Sequence, residues 1–327
     1  MARPTLLLTG AGYYQPGYLE EHWPRLLEHC QVRLTEARDG PDLLAQIAEA
    51  DVLIPRRVDI RRDALEAATR LRGVVTPGVG VEKVDVAAAT ELGIVVANSP
   101  GNSVTVAEAT ILLALALAKQ MAAWIEAARD GRAPTSSMHG MELSGKTIGI
   151  VGFGRIGNWV AEFTRAFRMT VLAYDPYVTE SELAELVPLD ALLRRSDFVS
   201  LHPVLTAETF HMIGAEQLFL MKPTAFLINT SRGGVIDEPA LIGALRRGQI
   251  AGAGLDVFET EPPALDNPLL AMPNVIATPH GLSHSVESFR RCAEMTQENV
   301  LALLDGRLPP YHVNKTVRWR ALEGVKS

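Results

Sequence analysis

The chain has 327 residues, 47% of them hydrophobic and 21% charged. These are the proportions of a globular protein, at a length beyond what one core usually serves, so two domains are expected. A formal net charge of −7 argues against a nucleic-acid or anionic-membrane partner, and two cysteines leave no disulfide framework or cysteine-rich metal site and point to the reducing cytoplasm.

The N-terminal third alternates strand-like and helix-like segments. "TLLLTG" (5–10), "QVRLTE" (31–36), "DVLIP" (51–55), "RGVVT" (72–76) and "IVVANSP" (94–100) read as strands, "DVLIP" as a buried one. Between them, "YLEEHWPRLLEHC", "PDLLAQIAEA", "RRDALEAATRL" and "VDVAAATELG" read as helices. Strands alternating with helices imply a parallel sheet covered on both faces. Residues 1–101 are therefore expected to form an α/β domain. From Ser103 to about Gly131 the pattern predicts one long apolar helix placed between two domains. Its longest apolar run, "ATILLALALA" (109–118), is far short of the roughly 20 residues of a membrane span.

A second α/β series begins at "GKTIGIVGFGRIG" (145–157) and continues through "TVLAYD", "DFVSLH", "AFLINTS", "AGAGLDV" and "NVIATPH". Six strand candidates suffice for a complete doubly wound sheet. After it, "SVESFRRCAEMTQENVLALLDG" (285–306) is an amphipathic helix, read as returning to complete the first domain. The expected architecture is α/β, with two Rossmann-like doubly wound parallel-sheet domains. Residues 102–284 form a dinucleotide domain inserted into a discontinuous domain of residues 1–101 and 285–327.

The chemistry starts at the Gly-x-Gly-x-x-Gly turn. Gly152 permits the tight turn, Gly154 lets the backbone approach a pyrophosphate, and Gly157 lets the helix pack on the strand. Asp175 ends the next strand, 18 residues past Gly157, where a carboxylate accepts hydrogen bonds from the adenosine ribose of NAD. Later strands end in polar residues: Arg232 after "INTS", Asp256 in "GLDV" with Glu261 five residues on, and His280 in "ATPH". Hydride transfer to a keto acid needs such a set. Arg232 can hold a carboxylate and polarise a carbonyl, and a protonated His280 with a carboxylate beside it can give its proton to the nascent alkoxide. His202 in "SLHP" reads as a wall of the cofactor pocket. His139 and His284 receive no role, and His211 and His312 read as surface residues. No spacing suggests a metal site, and neither GxSxG nor HExxH occurs.

The ordered set "GIVGFGRIG", "SLHPVLTAET", "INTSRGGVIDEPAL", "AGLDVFETEP" and "ATPH", with "PGVGVEKVD" (77–85) and "VAEAT" (106–110), resembles the D-isomer-specific 2-hydroxyacid dehydrogenases. The resemblance covers nearly the whole chain. It implies an NAD-dependent enzyme acting on a small 2-keto or D-2-hydroxy acid, a cleft between the domains, and a homodimer formed through the cofactor domains. It makes Arg232, Glu261 and His280 catalytic, with Arg232 and His280 touching both cofactor and substrate. Asp256 would face the nicotinamide carboxamide, while Arg155, Ile156, Pro203, Thr230 and Ser231 would line the cofactor. Backbone amides of Gly78 and Val79 would take the substrate carboxylate.

Departures from that pattern bear on the substrate. Thr76-Pro77 stands where phosphoglycerate-oxidising relatives carry an Arg, although Arg56 sits where such relatives place a substrate arginine. "HGLSHS" after His280 also differs from the family's apolar and small residues. Phosphoglycerate is therefore not the expected substrate. Two other readings stay open: a dinucleotide-sensing, corepressor-like binding protein, and a formate- or phosphite-type dehydrogenase on the same scaffold.

Overall fold

The computed structural model describes residues 3–135 and 139–320. Residues 321–327 of the expected 285–327 segment lie outside the described residues. The chain divides into two compact units: one holds the chain up to Asn102 and again from Ser285, the other Ser103–His284.

The first unit is built on a parallel sheet of β1 (Thr5–Thr9), β2 (Gln31–Thr35), β3 (Val52–Ile54), β4 (Gly73–Thr76) and β5 (Val95–Asn98), in the order β2-β1-β3-β4-β5. Helices α1 (Tyr18–His22), α2 (Pro24–His29), α3 (Gly40–Ala48), α4 (Arg62–Ala67) and α5 (Val86–Glu91) connect the strands. Pleating sends successive side chains to opposite faces. Leu7 and Leu53 pack with Leu43, Ile47 and Leu65 on one side, while Leu6, Leu8, Val52 and Ile54 pack with Trp23 and Leu26 on the other. Strands buried on both faces read as continuous apolar runs, which is why "LLL" and "VLI" are legible. The strand order reverses between β1 and β3, and in open parallel sheets the crevice outside such a switch point takes ligands.

The second unit opens with α6 (Ser103–Ala118) and α7 (Met121–Arg129). The single helix expected here is thus two, bent by 63°. The cause is tertiary. Ala118 O accepts the N–H of Met141 at 2.8 Å, and Gln120 takes a left-handed conformation with φ 52°. The sheet that follows holds seven parallel strands: β6 (Thr147–Val151), β7 (Thr170–Tyr174), β8 (Glu185–Leu186), β9 (Phe198–Leu201), β10 (Phe226–Asn229), β11 (Gly252–Leu255) and β12 (Val275–Ala277), ordered β12-β11-β10-β9-β6-β7-β8. Six of these are the expected strands; the seventh, β8, has only two residues and so carries no period in the sequence. Helices α8 (Arg155–Ala166), α9 (Leu189–Arg195), α10 (Ala215–Leu220) and α11 (Glu238–Arg246) cover it. Val199, Leu201 and Leu227 face α9–α11, and Ile148, Ile150 and Phe198 face α6 and α8. The switch point falls between β6 and β9.

After β12 the chain returns as α12 (Val286–Leu304) to the first unit, where Ala293, Val300 and Leu303 pack with Leu6, Leu8 and Val75. Each Val or Leu side chain so removed from water contributes about 1.5–3 kcal/mol.

Candidate active site

The turn after β6 meets the requirements of a dinucleotide. Gly152 has φ 87°, and a Cβ there would stand 2.7 Å from the backbone of His202 and Pro203, so β9 closes against the turn. At Gly154 a Cβ would meet nothing within 4 Å, which leaves the first amides of α8 open to an anion. Gly157 is pressed on the carbonyl of Gly152. Asp175, just past β7, accepts the Phe153 N–H at 2.8 Å on one carboxylate oxygen and the Tyr177 N–H at 2.9 Å on the other. Its carboxylate is thereby fixed beside the turn, with lone pairs left for ribose hydroxyls. Arg155 and Ile156 form the first turn of α8, and Pro203 follows β9. Thr230 and Ser231, both buried, follow β10. The Thr230 hydroxyl pairs with that of Thr110 on α6 at 2.9 Å, and Asn229 Oδ1 accepts from Ser231 N and Oγ at 3.0 and 2.8 Å.

Glu261 and His280 meet. Glu261 Oε2 lies 2.7 Å from His280 Nδ1, and Glu261 Oε1 accepts the Phe258 N–H at 3.2 Å. Both side chains are part-exposed, 36% and 41%. The hydrogen bond to Glu261 raises the His280 pKa. Desolvation opposes it, the charge of Glu261 adds to it, and Arg232 pulls the value back down. For Glu261, burial alone would push the carboxyl up, but the hydrogen bond and charge of His280 outweigh this and lower it. With Nδ1 held by a carboxylate, Nε2 is the atom left to exchange a proton.

Asp256 is buried. Its Oδ1 accepts from Thr278 Oγ1 at 2.7 Å, Gly281 N at 3.0 Å and Leu282 N at 3.3 Å. It therefore ties both sides of the segment on which His280 sits in a left-handed conformation, φ 53°, a backbone state that needs such support. This anchoring could not be read from the strand pattern. Arg232 lies between Ser231, whose carbonyl accepts from its Nη1 at 2.7 Å, and the short 3-10 turn Gly233–Val235.

In the first unit, Gly78 and Val79 follow β4. Their carbonyls are taken by Ser99 N and Asn98 Nδ2, each at 2.8 Å. Among the described residues neither amide N–H has a protein partner, which suits the pair to a carboxylate. Arg56 follows β3, and its main chain is clamped at N and O by Thr9 Oγ1 at 2.8 and 3.0 Å. Its guanidinium lies 3.3 Å over the Tyr13 ring, and its buried Nε has no protein partner. Arg56 and Tyr13, with Gly10, Glu36, Arg38 and Arg57, line a cavity of about 590 Å³ at the switch point between β1 and β3.

His202 is neutral: burial lowers its pKa to about 3, and its Nε2 lies 2.7 Å from Ser200 Oγ. It is unfit as an acid at neutral pH and lies at the wall of the turn. His211 is a partly exposed residue whose Nε2 lies 2.7 Å from Glu259 Oε1. His312 is likewise engaged, bridging to Ala97 and bonded through Nδ1 to Pro309 O at 2.8 Å. His139 and His284 are exposed.

A model of the D-isomer specific 2-hydroxyacid dehydrogenase NAD binding domain matches residues 111–281. The glyoxylate reductase of Korarchaeum cryptofilum is 43% identical over 306 residues, covering 90% of this chain and 92% of that protein. The D-3-phosphoglycerate dehydrogenase of Methanocaldococcus jannaschii is 42% identical over 304 residues; this covers 90% of this chain but 58% of that longer protein. A D-lactate dehydrogenase from Aquifex aeolicus, solved in complex with NAD and lactic acid, matches with a TM-score of 0.82 at 32% identity, over 92% of this chain and 96% of that one. The chain belongs to the D-isomer-specific 2-hydroxyacid dehydrogenases, NAD-dependent oxidoreductases that act on 2-hydroxy acids.

Proposed function

We propose that this protein reduces a small 2-keto acid to the D-2-hydroxy acid with NADH, and catalyses the reverse oxidation. The observation that carries the reading is the 2.7 Å pair of Glu261 and His280, with Arg232 close enough to influence the histidine's charge. Bound NADH supplies the hydride. Arg232 holds the acid and polarises its carbonyl. Protonated His280 gives its Nε2 proton to the oxygen as negative charge develops there, and Glu261 stabilises the imidazolium. In the oxidative direction neutral His280 takes the hydroxyl proton. Gly78 and Val79 supply amide donors for the substrate carboxylate, with Arg56 as a further cation. Gly152, Gly154, Arg155, Ile156, Gly157, Asp175, Pro203, Thr230, Ser231 and Asp256 serve the cofactor.

The same reading includes a cytoplasmic homodimer. The part-exposed apolar side chains Leu112, Met121 and Ile125 on α6 and α7 support an association through the second unit. A mass in solution of one chain, measured by light scattering, would remove the dimer from it.

Two measurements test the chemistry. Absorbance of NADH followed with glyoxylate, pyruvate and longer 2-keto acids should fall with at least one of them; no oxidation with any would refute the reading. Arg232→Lys keeps the charge but loses the planar fork, so KM for the keto acid should rise and kcat fall together. Kinetics unchanged in that variant would place Arg232 outside the site.

A further inference from the structure

Gly233 follows Arg232 directly, and a Cβ there would overlap the Phe258 carbonyl and the amide nitrogen of Glu259. The loop carrying Arg232 is seated, backbone on backbone, against the loop carrying Glu261. Three side chains lace this seam. Glu238 N donates to Glu259 Oε1 at 3.0 Å, and Glu259 N donates to Glu238 Oε2 at 3.2 Å. Asn267 Nδ2 donates to Glu238 Oε1 at 2.7 Å. The same Glu259 Oε1 lies 2.7 Å from His211 Nε2.

His211 comes from a third segment that also braces the arginine loop. His211 N donates to Gly234 O at 2.8 Å, and Ile213 N to Val235 O at 3.1 Å. The histidine ring is stacked on Phe210, centroids 3.8 Å apart, with its backbone left-handed at φ 53°. Two glutamates brought this close repel, and the imidazole with the three N–H donors offsets that repulsion. The link to the site is short. Phe258, whose N–H holds Glu261 Oε1 at 3.2 Å, immediately precedes Glu259, so a shift of Glu259 moves the Glu261 carboxylate directly.

We propose that Glu259, with His211 and Glu238, forms a positioning cluster that locks the Arg232 and Glu261 loops together, so that Glu261 meets His280 squarely beside the arginine. None of the three needs to touch substrate. The inference rests on the reading above, in which Arg232, Glu261 and His280 act on the acid.

The test uses Glu259→Ala, Glu259→Gln and His211→Ala in the full chain, with NADH and a 2-keto acid the parent reduces. Small misplacement of reacting groups costs up to about a hundredfold. Glu259→Ala should lose about ten- to a hundredfold in kcat with the KM for NADH little changed. It should also move the alkaline limb of the reduction profile to lower pH, because Glu261 no longer holds His280. The charged groups facing His280 are Glu261, Arg232 and Asp256, and none is altered by these variants. Glu259→Gln keeps an oxygen for the Glu238 N–H and should recover most of kcat. His211→Ala should follow Glu259→Ala in direction with a smaller loss, and it decides the matter if Glu259→Ala does not fold. Folded variants with the parent kcat and pH limb would overturn the proposal. So would a lower kcat and melting temperature with an unmoved limb, the mark of a purely structural role. A parent inactive on every acid would remove the functional reading and this inference with it, whereas an active parent with an unmoved limb removes this inference alone.

Discussion

His280→Ala lowers kcat for 2-keto-acid reduction by roughly 10²–10⁴, the range that a positioned general acid supplies, and leaves the dissociation constant for NADH nearly unchanged. The geometry ties the loss to chemistry. His280 is part-exposed on a loop past β12, so its removal opens no core cavity, and Asp256 still gathers the loop through Thr278, Gly281 and Leu282. His202, beside the Gly152 turn, cannot take over, since burial holds it neutral. Stopped-flow reduction with saturating NADH checks the expectation. Retention of most of kcat would mean that the proton comes from another group.

NADH is expected to be preferred over NADPH by roughly ten-fold to several-hundred-fold in kcat/KM, and Asp175 is the cause. Its carboxylate is held by the Phe153 and Tyr177 amides, so it cannot swing away from a 2′-phosphate without giving up both bonds. Like charges a few ångströms apart, partly shielded from water, cost on the order of 1–4 kcal/mol, which sets the stated ratio. Pro176 and Tyr177, the next residues, carry no cation to offset it, and Tyr177 points into solvent, 92% exposed. Asp175→Ser should relax the preference mainly through the KM for NADPH. Equal kcat/KM values for the two cofactors in the parent would remove this role from Asp175.

Much of the fold was legible because parallel strands buried on both faces leave continuous apolar runs, as in "TLLLT" and "FLIN", and because glycine spacing marks the turn after β6. Strand-end positions likewise exposed Arg232, Glu261 and His280 as polar residues following apolar segments. What stayed hidden depends on contacts distant in sequence. The break between α6 and α7 is set by Met141 reaching Ala118 O, which no helical periodicity encodes. The two-residue β8 exists only through pairing with Leu172 and Ala173. The His211–Glu259 pair joins residues 48 apart. The three hydrogen bonds from Asp256 to the His280 loop appear only once β11 and β12 lie side by side.

The pH dependence of kcat/KM for keto-acid reduction, compared between the parent and Glu261→Gln, tests the acid-base assignment most directly. Reduction requires protonated His280, whose folded pKa is raised by the hydrogen bond to Glu261. Activity is therefore present below that raised pKa and lost as pH rises through it. Removing the carboxylate charge lowers the histidine's pKa, so the alkaline limb of Glu261→Gln should be displaced to lower pH. Superimposable limbs in the two proteins would contradict it.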